Sequence, residues 1–320
     1  MKSRIMSYNI EHMRKCFKSN KILPQAQPKV EAAARVIKEI APDILGIVEA
    51  SNKIKHLELF IGDTCLHDSG YKIAKSDCNR TKQDLAFLYK KPFEVLSMDE
   101  NLDFYDDWLE DIDADGIQEL CHFERKPMEA LFKNTETGVE FLVILVFTKS
   151  KGVFSVKDVY EHQHLALANR KRLLAQSKQI RRRLDKLIIF QPGLPIILMG
   201  DLNDEPGLDS MERMLGFSAL ETIMGSVFAP DLIMHNVNWH MKSKPKLVRQ
   251  LWTTEYPDLI VRNLGLHHAW LDHILVSPNL LNQENVPRLV PESGLVAPKT
   301  KDGALASDHY AVYCDLEFQV

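Results

Sequence analysis

Several short runs of this chain are apolar at nearly every position: 141–147 reads Phe-Leu-Val-Ile-Leu-Val-Phe, and 195–199 reads Pro-Ile-Ile-Leu-Met. A strand with one wet face alternates polar and apolar residues, so such runs belong in sheets covered on both faces. Ile44 to Val48 is of the same kind, and β-rich runs at Arg4 to Ile10, Leu85 to Tyr89, Leu271 to Ser277 and Ala311 to Phe318 complete the set. Helical patterns lie between them. Lys29 to Ile40 spaces Val30, Ala33, Ala34, Ile37 and Ile40 along one face before Pro42 stops it. A longer helix fills Val156 to Ile189, with Leu165, Leu173, Ile180, Leu184 and Leu187 inside. The order is not the strict alternation of a doubly wound parallel sheet. The predicted fold is α/β, with two packed mixed sheets flanked by helices in a four-layer α/β/β/α sandwich. No internal repeat or Gly/Ser linker interrupts it, so residues 1–320 are expected to form a single domain.

Charge limits the partners. A formal net charge of -4 and a sequence pI of about 6.3 give no global positive field to draw the chain onto nucleic acid or an acidic membrane. Any polyanion must be gripped locally. The N-terminus lacks the long apolar stretch of a secretory signal, and 141–147 is too short to span a bilayer, so the expectation is a soluble cytoplasmic protein with no membrane partner. Cys16, Cys65, Cys78, Cys121 and Cys314 are scattered without a CxxC pair and read as reduced, structural thiols. Asp99 to Glu119 is densely acidic and reads as a solvated surface insertion. Asp111, Asp113, Asp115 and Gly116 resemble the start of a calcium loop, but His122 stands where the closing bidentate Glu should be.

Chemistry gathers where the apolar runs end. Ile196-Ile-Leu-Met-Gly-Asp-Leu-Asn203 runs into Asp201 and Asn203, which strand alternation points to one side. A carboxylate beside a neutral amide can orient a water and hold a phosphate oxygen without overfilling the site with negative charge. Ser307-Asp308-His309 places a hard oxygen next to an imidazole. Asp272 opens an otherwise apolar strand, Asp43 to Glu49 runs through apolar residues into a carboxylate, and Arg4 to Asn9 runs into an amide. Singly, each is an ordinary turn or cap residue.

In this order the motifs resemble the endonuclease/exonuclease/phosphatase superfamily, which includes pancreatic deoxyribonuclease, abasic-site endonucleases, inositol polyphosphate 5-phosphatases and neutral sphingomyelinases. Asn9 and Glu49 match its first two motifs, and Gly200-Asp-Leu-Asn203 matches Gly-Asp-x-Asn. Asp272 matches the Asp of Leu-Asp-x-Ile-Leu-x-Ser, and Ser307-Asp308-His309 the Ser-Asp-His ending. Phe123-Glu-Arg-Lys-Pro127 is similar to an Arg-x-Pro strand near the substrate phosphates. One position departs: Phe147 stands where many relatives carry a His before a Lys-Ser-Lys segment, and Phe can neither bind phosphate nor protonate a leaving group.

The resemblance implies a phosphoesterase, most simply a nuclease or phosphodiesterase acting by metal-assisted attack of water. Carboxylates and amides without thiolates favour a hard cation, Mg²⁺ with Mn²⁺ as a substitute. Glu49 is the implied primary ligand, with Asn9 and Asp308. Asp201 would orient or deprotonate the water beside Asn203, and His309, fixed by Asp272, would contact the phosphate. Substrate contacts are expected from Arg125, Lys149, Lys242 and Lys244, possible partners being DNA or RNA. The cationic run from Arg170 to Lys186 reads either as a track for a phosphate backbone or as a solvated helix face. Trp252 and Tyr256 could stack bases but are also ordinary core types. His162, His164, His267 and His268 lack the companions of a zinc motif. A phosphomonoesterase, a phosphodiesterase for small nucleotides or lipids, and a catalytically silent binding protein remain as alternatives.

Overall fold

A computed structural model describes residues 1–76, 83–99, 103–104, 106–153, 156–257 and 266–319. Two large sheets form its centre. The first has seven strands, running Arg288–Leu289, Val312–Glu317, Lys2–Asn9, Ile44–Ser51, Gln83–Tyr89 and Lys72–Ala74, with Leu295–Val296 also pairing on Val312–Glu317. The second has six, in the order His235–Asn236, Asp272–Val276, Ile196–Asp201, Glu140–Phe147, Met128–Asn134 and Phe93–Met98. Each sheet contains one parallel pair, Lys2–Asn9 with Ile44–Ser51 and Glu140–Phe147 with Ile196–Asp201, among antiparallel neighbours.

The apolar runs have the cause expected of them. Ile5, Ile44, Val48, Leu85 and Phe87 of the first sheet pack against Phe132, Val143, Leu145, Ile197 and Met199 of the second. The sheets lie so close that a Cβ on Gly46 would stand 2.7 Å from side-chain atoms of Leu145 and Met199. The outer face of the first sheet, with Met6, Leu45, Ile47 and Leu88, is covered by the helix Gln27–Ile40 through Val30, Ala33, Ala34 and Ile37. That helix ends at Ala41 in the left-handed region, ahead of Pro42. The outer face of the second sheet, with Leu142, Ile144, Val146 and Leu198, lies under Ile180, Leu184 and Leu187 of the helix Val159–Phe190. These are the four layers of the predicted sandwich. Leu165 is only partly buried, unlike its four predicted companions.

Two charged segments expected to face solvent also pair with each other. The cations of the long helix face the acidic segment and its neighbours: Lys171 pairs with Asp113 and Glu119, Lys178 and Arg182 with Glu110, Arg183 with Glu129, and Lys186 with Asp103. Arg170 pairs with Asp209 and Arg181 with Asp185. Glu110 and Ile112 are buried. The described part of the segment packs on the helix, where opposite charges far apart in sequence neutralise one another on contact. Within it, Gly116 N–H and Ile117 N–H donate to Asp111 and Asp115, as in ordinary turns. Glu100, Asn101, Leu102, Tyr105 and Cys78 lie outside the described residues. No helix among the described residues is long and apolar enough to cross a membrane.

Candidate active site

The polar residues that end the apolar strands meet at one edge of the paired sheets. Asn9 closes the first strand, and its Nδ2 donates to Asp201 Oδ2 at 3.1 Å. Asp201 closes the strand Ile196–Asp201 and lies opposite Asp272 in the antiparallel register. Asp272 Oδ2 is 2.7 Å from His309 Nδ1. Asp201 Oδ2 and Asp308 Oδ1 both lie 4.0 Å from His309 Nε2, flanking it. Ser307 Oγ donates to Asn9 O at 2.7 Å, which ties the C-terminal motif to the N-terminal one.

The backbone conformations that deliver these groups are unusual. Glu49 has φ 58° and sits where the pairing of Ile44–Ser51 with Gln83–Tyr89 shifts register. A bulge of this kind re-aims a side chain that a regular strand would bury. Asn203 has φ 50°, so strand alternation does not place it. Instead Asp201 Oδ1 accepts from Asn203 N–H at 2.9 Å, and this tight turn swings the amide back so that Nδ2 donates to Thr148 O at 3.1 Å. Gly200 precedes the turn with φ 142°, and a Cβ there would collide with Val146 O. Only glycine fits.

Beyond Asn9 the chain turns through Glu11 and His12, with φ 26° and 55°. Two N–H groups of that turn point into the site: Glu11 N–H donates to Asn9 Oδ1 at 3.0 Å, and His12 N–H to Glu49 Oε2 at 2.8 Å. Lys29 holds the turn through Glu11 O and Oε2. Gln83 Nε2 and the His12 ring also approach Glu49 Oε2, leaving Oε1 without a protein partner among the described residues. Opposite, Thr253 and Thr254 clamp the remaining motifs together. Thr253 Oγ1 accepts from the N–H groups of Leu271 and Asp272, and Thr254 Oγ1 donates to Asp308 O at 2.8 Å.

Electrostatics separate the roles these groups can take. Burial opposes a charge on His309, but the charges of Asp272 and Asp201 and the hydrogen bond to Asp272 outweigh it and raise its pKa to about 10. This shift favours the imidazolium at neutral pH, in which both nitrogens are donors. Burial pushes Asp201 up to about 7, against the pull of His309 and of the N–H groups of Asn203 and Asn9. Asp201, Asp272 and His309 lie near enough to one another to hold a cation. A protonated imidazole has no lone pair to offer, so with the ring charged this trio acts as a charge network. The free Oε1 of Glu49, the partly exposed Asp308 carboxylate and the Asn9 amide form a hard oxygen set that fits a divalent ion. The buried Asp272 Oδ1 is unpartnered as well.

A model of the endonuclease/exonuclease/phosphatase family matches residues 6–309. The chain belongs to this family. Its members include metal-dependent nucleases and phosphodiesterases. No curated protein matches the sequence. Among solved structures, TDP2 from C. elegans superposes with a TM-score of 0.57 at 16% identity, covering 99% of this chain and 75% of that one. D. rerio TDP2 complexed with a single-strand DNA product gives 0.56 at 14%, covering 99% of each. The human Nocturnin catalytic domain with a bound sulfate anion gives 0.52 at 15%, covering 99% and 95%. Likeness at this identity establishes the shared endonuclease/exonuclease/phosphatase fold.

The four expected substrate contacts divide into two pairs. Arg125 reaches toward the site, donating to Thr148 O at 3.2 Å, and Lys149, a half-buried residue, follows Thr148. Lys244 is paired with Glu292, and Lys242 lies over the exposed Trp239 ring, 4.2 Å from its centroid. Among the described residues neither makes a hydrogen bond or ion pair to a pocket group. Trp252 is engaged on several sides, stacked on His268 and capped by Lys299, rather than free for a base. Pattern reading misses His12, Gln83, Thr148, Thr253 and Thr254. The one visible signal is adjacency, since Glu11-His12 follows Asn9 and Thr148 follows Phe147.

Proposed function

We propose that this chain is a Mg²⁺-dependent phosphoesterase, with Mn²⁺ as a substitute ion, that cleaves phosphodiesters and acts most naturally on nucleic acid. The convergence of Asn9, Asp201, Asp272 and His309 into one hydrogen-bonded network, with Glu49 reached through the next turn, carries this reading. The binding of a DNA product by a protein of the same fold supports the nucleic-acid substrate.

Glu49, with Asn9 and Asp308, would hold the ion, which supplies Lewis-acid charge at the phosphoryl group when bound. Asp201 acts as the base. A carboxylate raised to about 7 is about half ionised at neutral pH, and its ionised form is more basic than an ordinary carboxylate. Asn203 fixes the water beside it. The imidazolium of His309, oriented by Asp272, donates Nε2–H to a phosphoryl oxygen and stabilises the charge that grows there. Arg125 and Lys149 supply local cations, as a chain with net negative charge requires.

The site draws on residues 9 to 309, which supports a single domain. The free, buried thiols of Cys16, Cys121 and Cys314 support a cytoplasmic setting. The test is a substrate panel: single- and double-stranded DNA, RNA, dinucleotides, phosphomonoesters and an aryl phosphodiester, each with Mg²⁺ and with chelator. Chelator-sensitive release from a diester is the expected result. Release from monoesters alone favours a phosphomonoesterase, and no release from any member favours a silent scaffold.

A further inference from the structure

Phe147 occupies the position where the sequence pattern leads one to look for a His, and its surroundings show what the ring does. It pairs with Asp201 in the parallel register, beside the proposed base. The guanidinium of Arg125 lies over it, with Cζ 3.6 Å from the ring centroid. Arg125 Nη1 approaches Gln83 Oε1 at 3.4 Å, and Nη2 donates to Thr148 O at 3.2 Å. Gln83 also donates to Glu49, and Thr148 O also accepts from Asn203. One fork therefore touches partners of both the proposed ion ligand and the water-positioning amide. Its hydrogen bonds are long, and the buried Nε has none. Donor capacity remains unspent on a cation that its neighbours hold in place.

We propose that Phe147 is a positioning residue: its ring holds the Arg125 guanidinium as a fixed cation for the non-bridging phosphoryl oxygens. This rests on the reaction proposed above. A planar guanidinium stacks on an aromatic face and presents two donors in one plane, which an ammonium cannot do. Arginine does not give up its proton, so the pair stabilises charge but cannot protonate a leaving group. The substitution of Phe for His thus changes the kind of assistance rather than removing it.

The experiment is a double-mutant cycle on an aryl phosphodiester with Mg²⁺, using Phe147→Leu, Phe147→Trp, Arg125→Gln and Arg125→Lys, with melting curves to check folding. Phe147→Leu is expected to lower kcat/KM about 10-fold. Phe147→Trp should recover most of the loss, and Phe147→Leu should add nothing in the Arg125→Gln background. Arg125→Lys keeps the charge but not the planar fork and should resemble Arg125→Gln. Equal losses from Phe147→Leu in both backgrounds, or wild-type rates for Arg125→Lys, would overturn the inference. If the wild type turns over no ester, binding of inorganic phosphate by calorimetry replaces the rate. Weaker binding in Phe147→Leu but not in the Arg125→Gln background then keeps the inference while the reaction falls, and unchanged binding overturns both.

Discussion

Asp272 and His309 lie 37 residues apart in sequence, yet Oδ2 of one and Nδ1 of the other stand 2.7 Å apart, both buried. The contact joins the first residue of an apolar strand to the Ser-Asp-His segment, and it holds a proton where the proposed chemistry needs a donor. The folded-state pKa of about 10 lies above the ordinary value of 6.5. Its stabilisation is therefore fully present below pH 6.5 and lost as pH rises through about 10. With chelator present, the stability difference between wild type and His309→Gln in urea should shrink steadily from pH 7 to 10. Asp201, with a folded-state pKa of about 7, also titrates in the lower part of this range, so the slope above about pH 8.5 is the part that reports His309. A flat difference would mean that the ring is not held charged.

Gln83 donates to Glu49 without being a candidate ligand itself. Partners of this kind commonly tune ion affinity by ~10- to 100-fold. Gln83→Ala is expected to raise the Mg²⁺ concentration for half-maximal activity by at least about 10-fold, with kcat at saturating Mg²⁺ changed only a few-fold. Metal titration of the rate checks this, and an unchanged requirement would remove Gln83 from the support of Glu49.

The charges of the long helix are internal fasteners. Glu110 is buried between Lys178 and Arg182, and its replacement by Ala should cost about 1–3 kcal/mol in urea unfolding, between the surface and buried limits. Arg182→Ala with Lys186→Ala should leave the salt dependence of single-stranded DNA binding unchanged. Arg125→Gln should reduce the slope of log K against log salt by about one. A helix that tracks a phosphate backbone would give the opposite ranking.

Gly200→Ala tests the turn that carries Asp201 and Asn203. The added Cβ would stand 2.0 Å from Val146 O at a φ of 142°, a clash with backbone that no rotamer relieves. Loss of soluble protein, or a drop in Tm of several degrees, is expected from thermal melts, with the overpacking cost at about 3 kcal/mol or more.

What could be read in the sequence follows from how local each cause is. Double-sided burial leaves a mark in every residue of 141–147 and 195–199, so the two sheets and their helical covers were legible. The motif residues were legible because each lies at, or just outside, one end of such a run. Glu49 was legible as a residue, but the bulge that aims it was not, since a register shift depends on the partner strand. Asn203 reaches the site through a turn whose positive φ strand alternation does not foresee. The acidic segment and the basic helix each looked solvated because their complementarity exists only after packing. Gln83 and Thr253 act through geometry alone and carry no signature.

The central claim is tested most directly by Asp201→Asn, compared with wild type in Mg²⁺-dependent hydrolysis of an aryl phosphodiester, with chelator controls and thermal melts alongside. The variant keeps the shape of the side chain and removes its ability to take a proton. A chelator-sensitive rate is expected in the wild type and a loss of at least about 10³-fold in the variant, with folding intact. Chelator-sensitive hydrolysis that continues undiminished in Asp201→Asn would contradict it.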